Sequence, residues 1–271
     1  MVLWLASYPR SGNTFFRILL HALYGLPTYT GFLSGDDLEW VGRSELTGHD
    51  AIPQELALAL ARGDHEAVLP FHESQQVYAI KTHMMAREMA MSELPTILMV
   101  RDVRDVLVSF AWYMINVQTL HASAEPLGAL LRRPQENLGL LRARLTAWLR
   151  NLGLEQPLFR TYLGMLVRHH RWSHLNEDWL DRQQGGAPYL VRFEDLVARP
   201  RETMREALSA VGVAAPEGDG HIPDFAELKC VFPAFFREGK IGAGRQSYPD
   251  RLYERLTEVH GPTMRRLGYL V

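Results

Sequence analysis

Short apolar runs alternate with helical patterns along the chain. Four runs predict buried strands: 2–7, 76–80, 95–100 and 187–193. Apolar positions at helical spacing predict helices at 14–24, near 53–62, at 103–117, at 203–211 and at 249–267, with two or three more between 129 and 181. This alternation predicts an α/β fold with a mainly parallel central sheet flanked by helices. The 271 residues fit a single domain spanning 1–271.

Polar segments follow the predicted strands. Ligands in open parallel sheets bind beyond the carboxyl ends of the strands. The segment after the first strand begins at Tyr8, Lys81-Thr82-His83 follows the second, Arg101 follows the third, and Phe193 closes the fourth. We therefore expect one shared site at that edge of the sheet.

Composition and charge narrow the class of protein. The chain has 29 basic and 31 acidic residues, a net charge of −2, which gives no reason to expect a nucleic-acid partner. No run of about eighteen apolar residues predicts a membrane span, and the first residues do not read as a signal peptide. Cys230 is the single cysteine, which fits a reducing, cytoplasmic setting, and we expect it to be a small buried side chain.

The segment 8–15 combines features that bind a phosphate. Gly12 lets the backbone approach a ligand closely, and Arg10 supplies a charge able to hold a phosphate through two hydrogen bonds. The helix that follows offers free N–H groups and the positive end of its dipole. Ser11, Asn13 and Thr14 add side-chain hydrogen bonds.

This segment is not the phosphate-binding loop of nucleoside triphosphatases. It has no Gly-Lys-Ser/Thr after a four-residue spacer, which weighs against a kinase that uses ATP and Mg²⁺. From the local sequence alone, a capped helix start without any ligand remains an equal alternative.

The segment resembles the 5′-phosphosulfate loop of the sulfotransferases that use 3′-phosphoadenosine 5′-phosphosulfate (PAPS). That family carries a Tyr-Pro-Lys-Ser-Gly-Thr-Thr-Trp-like loop after its first strand, and the match here is Tyr8-Pro9-Arg10-Ser11-Gly12-Asn13-Thr14-Phe15. Arg10 stands in place of the lysine, and Phe15 in place of the tryptophan.

Further segments resemble the same family, in the family's order. Residues 101–109 are similar to its 3′-phosphate segment, Arg-(Asn/Asp)-x-x-Asp-x-x-Val-Ser, and residues 81–83 match its Lys-Thr-His. Residues 193–196 resemble Tyr-Glu-Asp-Leu, with Phe193 for the tyrosine. Residues 236–242 are the loosest match, to an Arg-Lys-Gly-x-x-Gly segment, because Glu238 replaces a basic residue.

The resemblance implies a reaction and a set of site residues. The sulfuryl group of PAPS moves by in-line displacement to a hydroxyl of a small molecule or glycan, and adenosine 3′,5′-bisphosphate (PAP) leaves. His83 is the implied general base, and Arg10 and Lys81 stabilise negative charge. Residues implied to hold the cofactor are Arg10, Ser11, Gly12, Asn13, Thr14, Phe15, Phe16, Arg101, Ser109, Phe193, Arg237, Glu238 and Gly239. Phe16 and Phe193 either line the adenine or belong to the core.

Several properties remain expectations or open alternatives. No metal is expected, because the histidines show no ligand spacing. Residues 26–75 and 115–186 match none of the motifs, and such segments frame the acceptor pocket in the family. The oligomeric state is open, with a homodimer among the options. The competing functions are an ATP/Mg²⁺-dependent small-molecule kinase and a non-catalytic nucleotide-binding module.

Overall fold

The computed structural model describes residues 1–30, 44–120, 131–132, 135, 138–182, 185–214, 216, 218–231, 236 and 241–270. The chain divides into two compact units. The first comprises Met1–Asp102 and Arg171–Ile222, and the second comprises Val103–His170 and Pro223–Val271. The expectation of a single domain stays a prediction.

A five-stranded sheet forms the centre of the first unit. Its strands are β1 (Val2–Ser7), β2 (Thr28–Thr30), β3 (Tyr78–Thr82), β4 (Thr96–Val100) and β5 (Tyr189–Arg192). The spatial order is β2-β3-β1-β4-β5, and every pairing is parallel. All six residues of β1 are buried, as expected for a strand covered on both faces. The predicted α/β fold with a mainly parallel sheet is confirmed.

The described part of the first unit also contains helices. They are α1 (Asn13–Tyr24), α2 (Ser44–Thr47), α3 (Gln54–Arg62), α4 (His65–His72), α8 (Arg171–Leu180), α9 (Phe193–Ala198) and α10 (Pro200–Ala210). Helix α1 ends at Gly25, whose left-handed backbone lets its N–H bond the His21 carbonyl oxygen. Helix α8 buries Trp172 and Trp179 completely, so both rings are core residues of this unit.

The second unit is helical in its described part. It contains α5 (Val103–Leu120), α6 (Leu138–Asn151), α7 (Glu155–Arg168), α11 (Phe225–Val231) and α12 (Asp250–Arg266). Helix α5 packs against α6 and α7, and a short 3₁₀ helix, Ala243–Ser247, packs on α5. None of the helices in the described ranges of either unit has the length and hydropathy of a membrane span.

The structure differs from the predicted elements at several places. Strand β3 runs to Thr82, two residues beyond the predicted end, so Lys81 lies inside the strand. Strand β2 is absent from the prediction because three residues are too few for a periodic pattern. Cys230 is exposed, and the expectation that it is buried is wrong: the short helix α11 buries only Leu228.

Candidate functional site

The predicted site segments of the first unit begin at one edge of the sheet. Because β3 and β4 are both parallel neighbours of β1, the three strands end together: Ala6 pairs with Thr82, and Ser7 pairs with Met99. The chain runs from β1 to the edge strand on one side and later to β4 on the other, so β1 lies at the switch point where α/β sheets bind ligands.

The loop between β1 and α1 has an unusual backbone. Arg10 has φ 71° and is the only residue other than glycine with positive φ in the described ranges. Gly12, which precedes α1, has φ 102°. The Ser11 N–H donates to the Tyr8 carbonyl oxygen at 3.2 Å and closes a tight turn. A left-handed arginine costs about 1–2 kcal/mol, and strain of this kind accumulates at functional sites.

The polar side chains of this loop are buried. Ser11 is 1% exposed and Asn13 is 4% exposed. Within the described part of the chain, the Ser11 hydroxyl and the Asn13 side-chain oxygen have no hydrogen-bond partner. Asn13 Nδ2 donates instead to the Leu5 carbonyl oxygen and the Ser7 hydroxyl. A buried hydroxyl without a partner beside a helix start fits a ligand that hydrogen-bonds there.

Phe193 packs between the loop and the end of β4. A Cβ placed on Gly12 would lie 2.5 Å from Phe193 Cδ2, and the Phe15 ring meets the Phe193 ring edge-on at 6.5 Å between centroids. The Arg101 guanidinium carbon lies 4.2 Å from the centre of the same ring. Phe193 therefore joins the loop and Arg101, and it is buried, as is Phe16.

His83 follows β3 and lies next to the end of β1. Its Nδ1 atom is 2.7 Å from the Ser7 carbonyl oxygen. Lys81 lies two residues earlier, paired in register with Leu5. Lys81 and His83 thus stand beside β1, the strand from which the loop begins. The contact between Ser7 and His83 was missed at the sequence level because the two residues lie 76 positions apart in the chain.

Tyr8 is a second titratable group at the loop. Burial raises the pKa of the Tyr8 hydroxyl to about 12, although the nearby positive charge of Arg171 acts in the opposite direction. The hydroxyl of Tyr8 therefore keeps its proton throughout the neutral pH range and does not serve as a general base there.

The remaining predicted residues lie in the second unit or outside the described ranges. Ser109 is a buried residue of α5. Arg104, on the same helix, donates to the Tyr269 carbonyl oxygen at 3.2 Å. The three predicted residues that close the site, Arg237, Glu238 and Gly239, lie outside the described residues.

Asp105 is a residue whose role the sequence did not reveal. Its carboxylate accepts the backbone N–H groups of Gly242 and Gly244, each at 2.7 Å. Asp105 is 3% exposed, and a Cβ on Gly244 would lie 2.3 Å from the Arg104 carbonyl oxygen. Two charge-assisted hydrogen bonds therefore hold the residues after 240 against the start of α5.

The Asp105→Ala variant should release this segment. Loss of both bonds leaves two partly buried N–H groups without an acceptor, at a cost of about 2–3 kcal/mol. Hydrogen exchange at residues 242–248 should accelerate, and the melting temperature should fall. Asp64→Ala is the control, because the Asp64 carboxylate accepts one N–H, from Ala67, at an exposed helix start and should cost only about 1 kcal/mol. Unchanged exchange in Asp105→Ala would contradict this account.

One protein family matches most of the chain. The family model described as the sulfotransferase domain matches residues 2–222. The chain belongs to the sulfotransferase family. The match covers β1 to β5 and with them the loop, His83, Arg101 and Phe193. This sulfotransferase is therefore an enzyme of sulfuryl transfer, and the resemblance seen in the motifs is confirmed.

A solved structure shares the fold of this sulfotransferase. A mouse sulfotransferase complexed with PAP matches with a TM-score of 0.54 and 15% identity, over 97% of this chain and 83% of that one. A retinol dehydratase in complex with androsterone and inactive cofactor PAP matches with a TM-score of 0.47 and 15% identity, over 97% and 80% of the two chains. At this identity the first likeness shows the fold alone. No curated protein matches the chain by sequence.

The described residues do not form a metal-binding cluster. The described residues contain no cluster of three or more His, Cys, Asp or Glu side chains arranged to hold a metal ion.

Proposed function

We propose that this sulfotransferase uses PAPS as its donor and a hydroxyl of a small molecule or glycan as its acceptor. The observation that carries the proposal is the loop between the central strand β1 and helix α1. Its backbone turns through left-handed residues at Arg10 and Gly12, and its buried Ser11 hydroxyl has no hydrogen-bond partner in the described part of the chain. A phosphate-bearing donor supplies the oxygen atoms that such a loop binds.

The donor brings an activated sulfuryl group and a bisphosphate leaving group, and the protein supplies charge and a base. Arg10 and Lys81 stabilise negative charge at the loop, and Gly12, Asn13 and Thr14 contribute backbone N–H and hydroxyl groups. Arginine keeps its proton, so Arg10 acts only as a hydrogen-bonding cation. Lys81 is then the candidate for proton delivery to the departing phosphate.

His83 is the proposed general base. A histidine exchanges a proton near neutral pH, whereas the Tyr8 hydroxyl at the loop stays protonated there. His83 takes the proton of the acceptor hydroxyl and so makes the oxygen a better nucleophile.

The 3′-phosphate end is assigned to Arg101 and Ser109, with Arg237, Glu238 and Gly239 closing the site. Arg101 is supported by its position directly after β4 and by its stacking on Phe193. Because Phe16 and Phe193 are buried, we assign them to packing beneath the site, with Phe193 holding Arg101 in place. We further propose a cytoplasmic enzyme that requires no metal.

A melting experiment tests the donor assignment. PAP added with EDTA should raise the melting temperature, by an amount that grows with the logarithm of its concentration above Kd. ATP with Mg²⁺ should give little stabilisation. Stabilisation by ATP only with Mg²⁺, and none by PAP, would reject the proposal and favour the kinase. PAP binding without transfer to any of a panel of phenol, alcohol and glycan acceptors would favour the non-catalytic module.

The different roles proposed for Arg10 and Lys81 give a separate prediction. Lys81→Ala should lower turnover by about tenfold, since Arg10 still supplies charge but cannot deliver a proton. Lys81→Arg should not restore the loss, because arginine shares that limitation. Single-turnover rates with PAPS measure the effect. Intact turnover in Lys81→Ala, together with its abolition in Arg10→Ala, would refute the role given to Lys81.

A further inference from the structure

Asn13 and His83 are joined through the last residue of β1. The Asn13 amide Nδ2 donates to the Leu5 carbonyl oxygen at 2.9 Å and to the Ser7 hydroxyl at 3.1 Å. On the other side of Ser7, His83 Nδ1 lies 2.7 Å from its carbonyl oxygen and 3.3 Å from its hydroxyl. Ser7 has no solvent exposure, and Asn13 is 4% exposed. The first residue of α1 and the residue after β3 therefore share one buried anchor.

The carbonyl of Ser7 determines which nitrogen of His83 carries a hydrogen. A carbonyl oxygen can only accept, so Nδ1 at 2.7 Å is the donor and bears the hydrogen. The lone pair of a neutral ring is then on Nε2, and a proton taken from a hydroxyl goes to that atom. The positive charge that follows strengthens the Nδ1–H bond to the carbonyl, which stabilises the protonated ring.

The hydrogen bonds to β1 also explain how the Asn13 side chain is used. An amide nitrogen has two hydrogens, and in Asn13 these are directed to two oxygens of β1. The contribution of Asn13 to donor binding is thus its backbone N–H at the start of α1. Its amide group binds Leu5 and Ser7 at the end of β1, and Ser7 in turn contacts the base, His83.

We propose that Ser7 is a positioning residue that fixes His83 with its hydrogen on Nδ1 and its basic lone pair on Nε2, and that the Asn13 amide holds Ser7 in place. The inference rests on the proposed function, because it concerns the base of that reaction. It links the loop that holds the donor to the residue that activates the acceptor.

Nitrogen NMR of the full chain with ¹⁵N-labelled histidine tests the inference without any ligand. The neutral His83 ring, assigned by the signal lost in His83→Gln, should show hydrogen on Nδ1. Ser7→Ala and Asn13→Ala both keep the Ser7 carbonyl oxygen, but each removes the hydrogen bond between the Ser7 hydroxyl and the Asn13 amide that holds it in place. The form with hydrogen on Nδ1 should therefore give way in part to the other tautomer. Transfer from PAPS to the best acceptor of the panel should fall about tenfold in each. The double variant should be no slower than either single variant, because all three break one linkage.

Thr28→Val is the matched control. The Thr28 hydroxyl is also fully buried in the sheet, donating to the Thr47 carbonyl oxygen at 2.7 Å and accepting from Arg17 Nε at 2.9 Å. Its loss should lower the melting temperature and leave the His83 signals and the transfer rate unchanged. A variant of Ser7 or Asn13 that behaves in the same way would overturn the inference.

The outcomes separate the inference from the function. A wild-type protein that transfers sulfate with hydrogen on Nε2 of His83 would overturn the positioning role alone. A protein with hydrogen on Nδ1 and no transfer would overturn the proposed function alone. Should Ser7→Ala fail to fold, the wild-type spectrum and Asn13→Ala still decide the question.

Discussion

The His83→Ala variant should lose sulfuryl transfer by about two to four orders of magnitude while its affinity for PAP stays within about twofold. The reason is that, in the proposed function, a general base acts on the acceptor proton, whereas the loop after β1 and Arg101 hold the donor. Transfer of labelled sulfate from PAPS to the acceptor panel measures the first effect, and calorimetric titration with PAP measures the second.

A second histidine provides the control for this prediction. The His65 side chain is 68% exposed, at the start of α4, and His65→Ala should leave both transfer and PAP binding unchanged. Transfer near the wild-type rate in His83→Ala would show that another group removes the proton. Loss of PAP binding in that variant would show instead that His83 belongs to the donor site.

Gly12→Ala should destroy the donor loop. The new Cβ would lie 2.5 Å from Phe193 Cδ2, in a backbone with φ 102° that side chains other than glycine rarely adopt. Clash and backbone strain together should cost about 3 kcal/mol or more. Since relief requires the loop or the Phe193 ring to move, and this ring also stacks on Arg101, stabilisation by PAP in a melting experiment should disappear.

Gly25 is the matched control, because it ends the helix that Gly12 begins. Its φ is 64°, and a Cβ there would meet nothing within 4 Å. Gly25→Ala should cost only the left-handed penalty of about 1–2 kcal/mol and keep PAP binding. Gly12→Ala combined with Phe193→Ala should lose less stability than the sum of the two single variants, because the obstructing ring is gone. Equal melting temperatures and equal PAP binding in Gly12→Ala and Gly25→Ala would disprove the close approach.

The local pattern of apolar residues was sufficient to predict the strands and helices that are strongly periodic or strongly apolar. Residues 2–7 formed the predicted strand, and the helix predicted at 14–24 begins one residue earlier, at Asn13. The three helices at Leu138–Asn151, Glu155–Arg168 and Arg171–Leu180 account for the two or three expected between 129 and 181. Because parallel strands end at one edge, even the meeting of the loop after β1 with the segment after β3 followed from the α/β alternation.

Contacts between residues far apart in the chain could not be predicted from the sequence. Strand β3 was predicted two residues early at both ends, because its bounds depend on pairing with β1, which begins at Tyr78 and continues to Thr82. The bonds from Gly242 and Gly244 to Asp105 span more than 130 residues, so no local pattern around Asp105 indicates them. Likewise, the burial of Phe193 depends on its packing against residues far away in the chain, such as Phe15 and Arg101.

The left-handed backbone of Arg10 has a consequence for protein engineering. Glycine at this position would remove the strain, so Arg10→Gly is a substitution that a search for heat-resistant variants would select early. The same change would remove the cation from the loop and with it the charge that, in the proposed function, stabilises the transferred group. Selection for thermostability alone would therefore enrich inactive enzyme, and a directed-evolution library of this chain should keep residue 10 fixed.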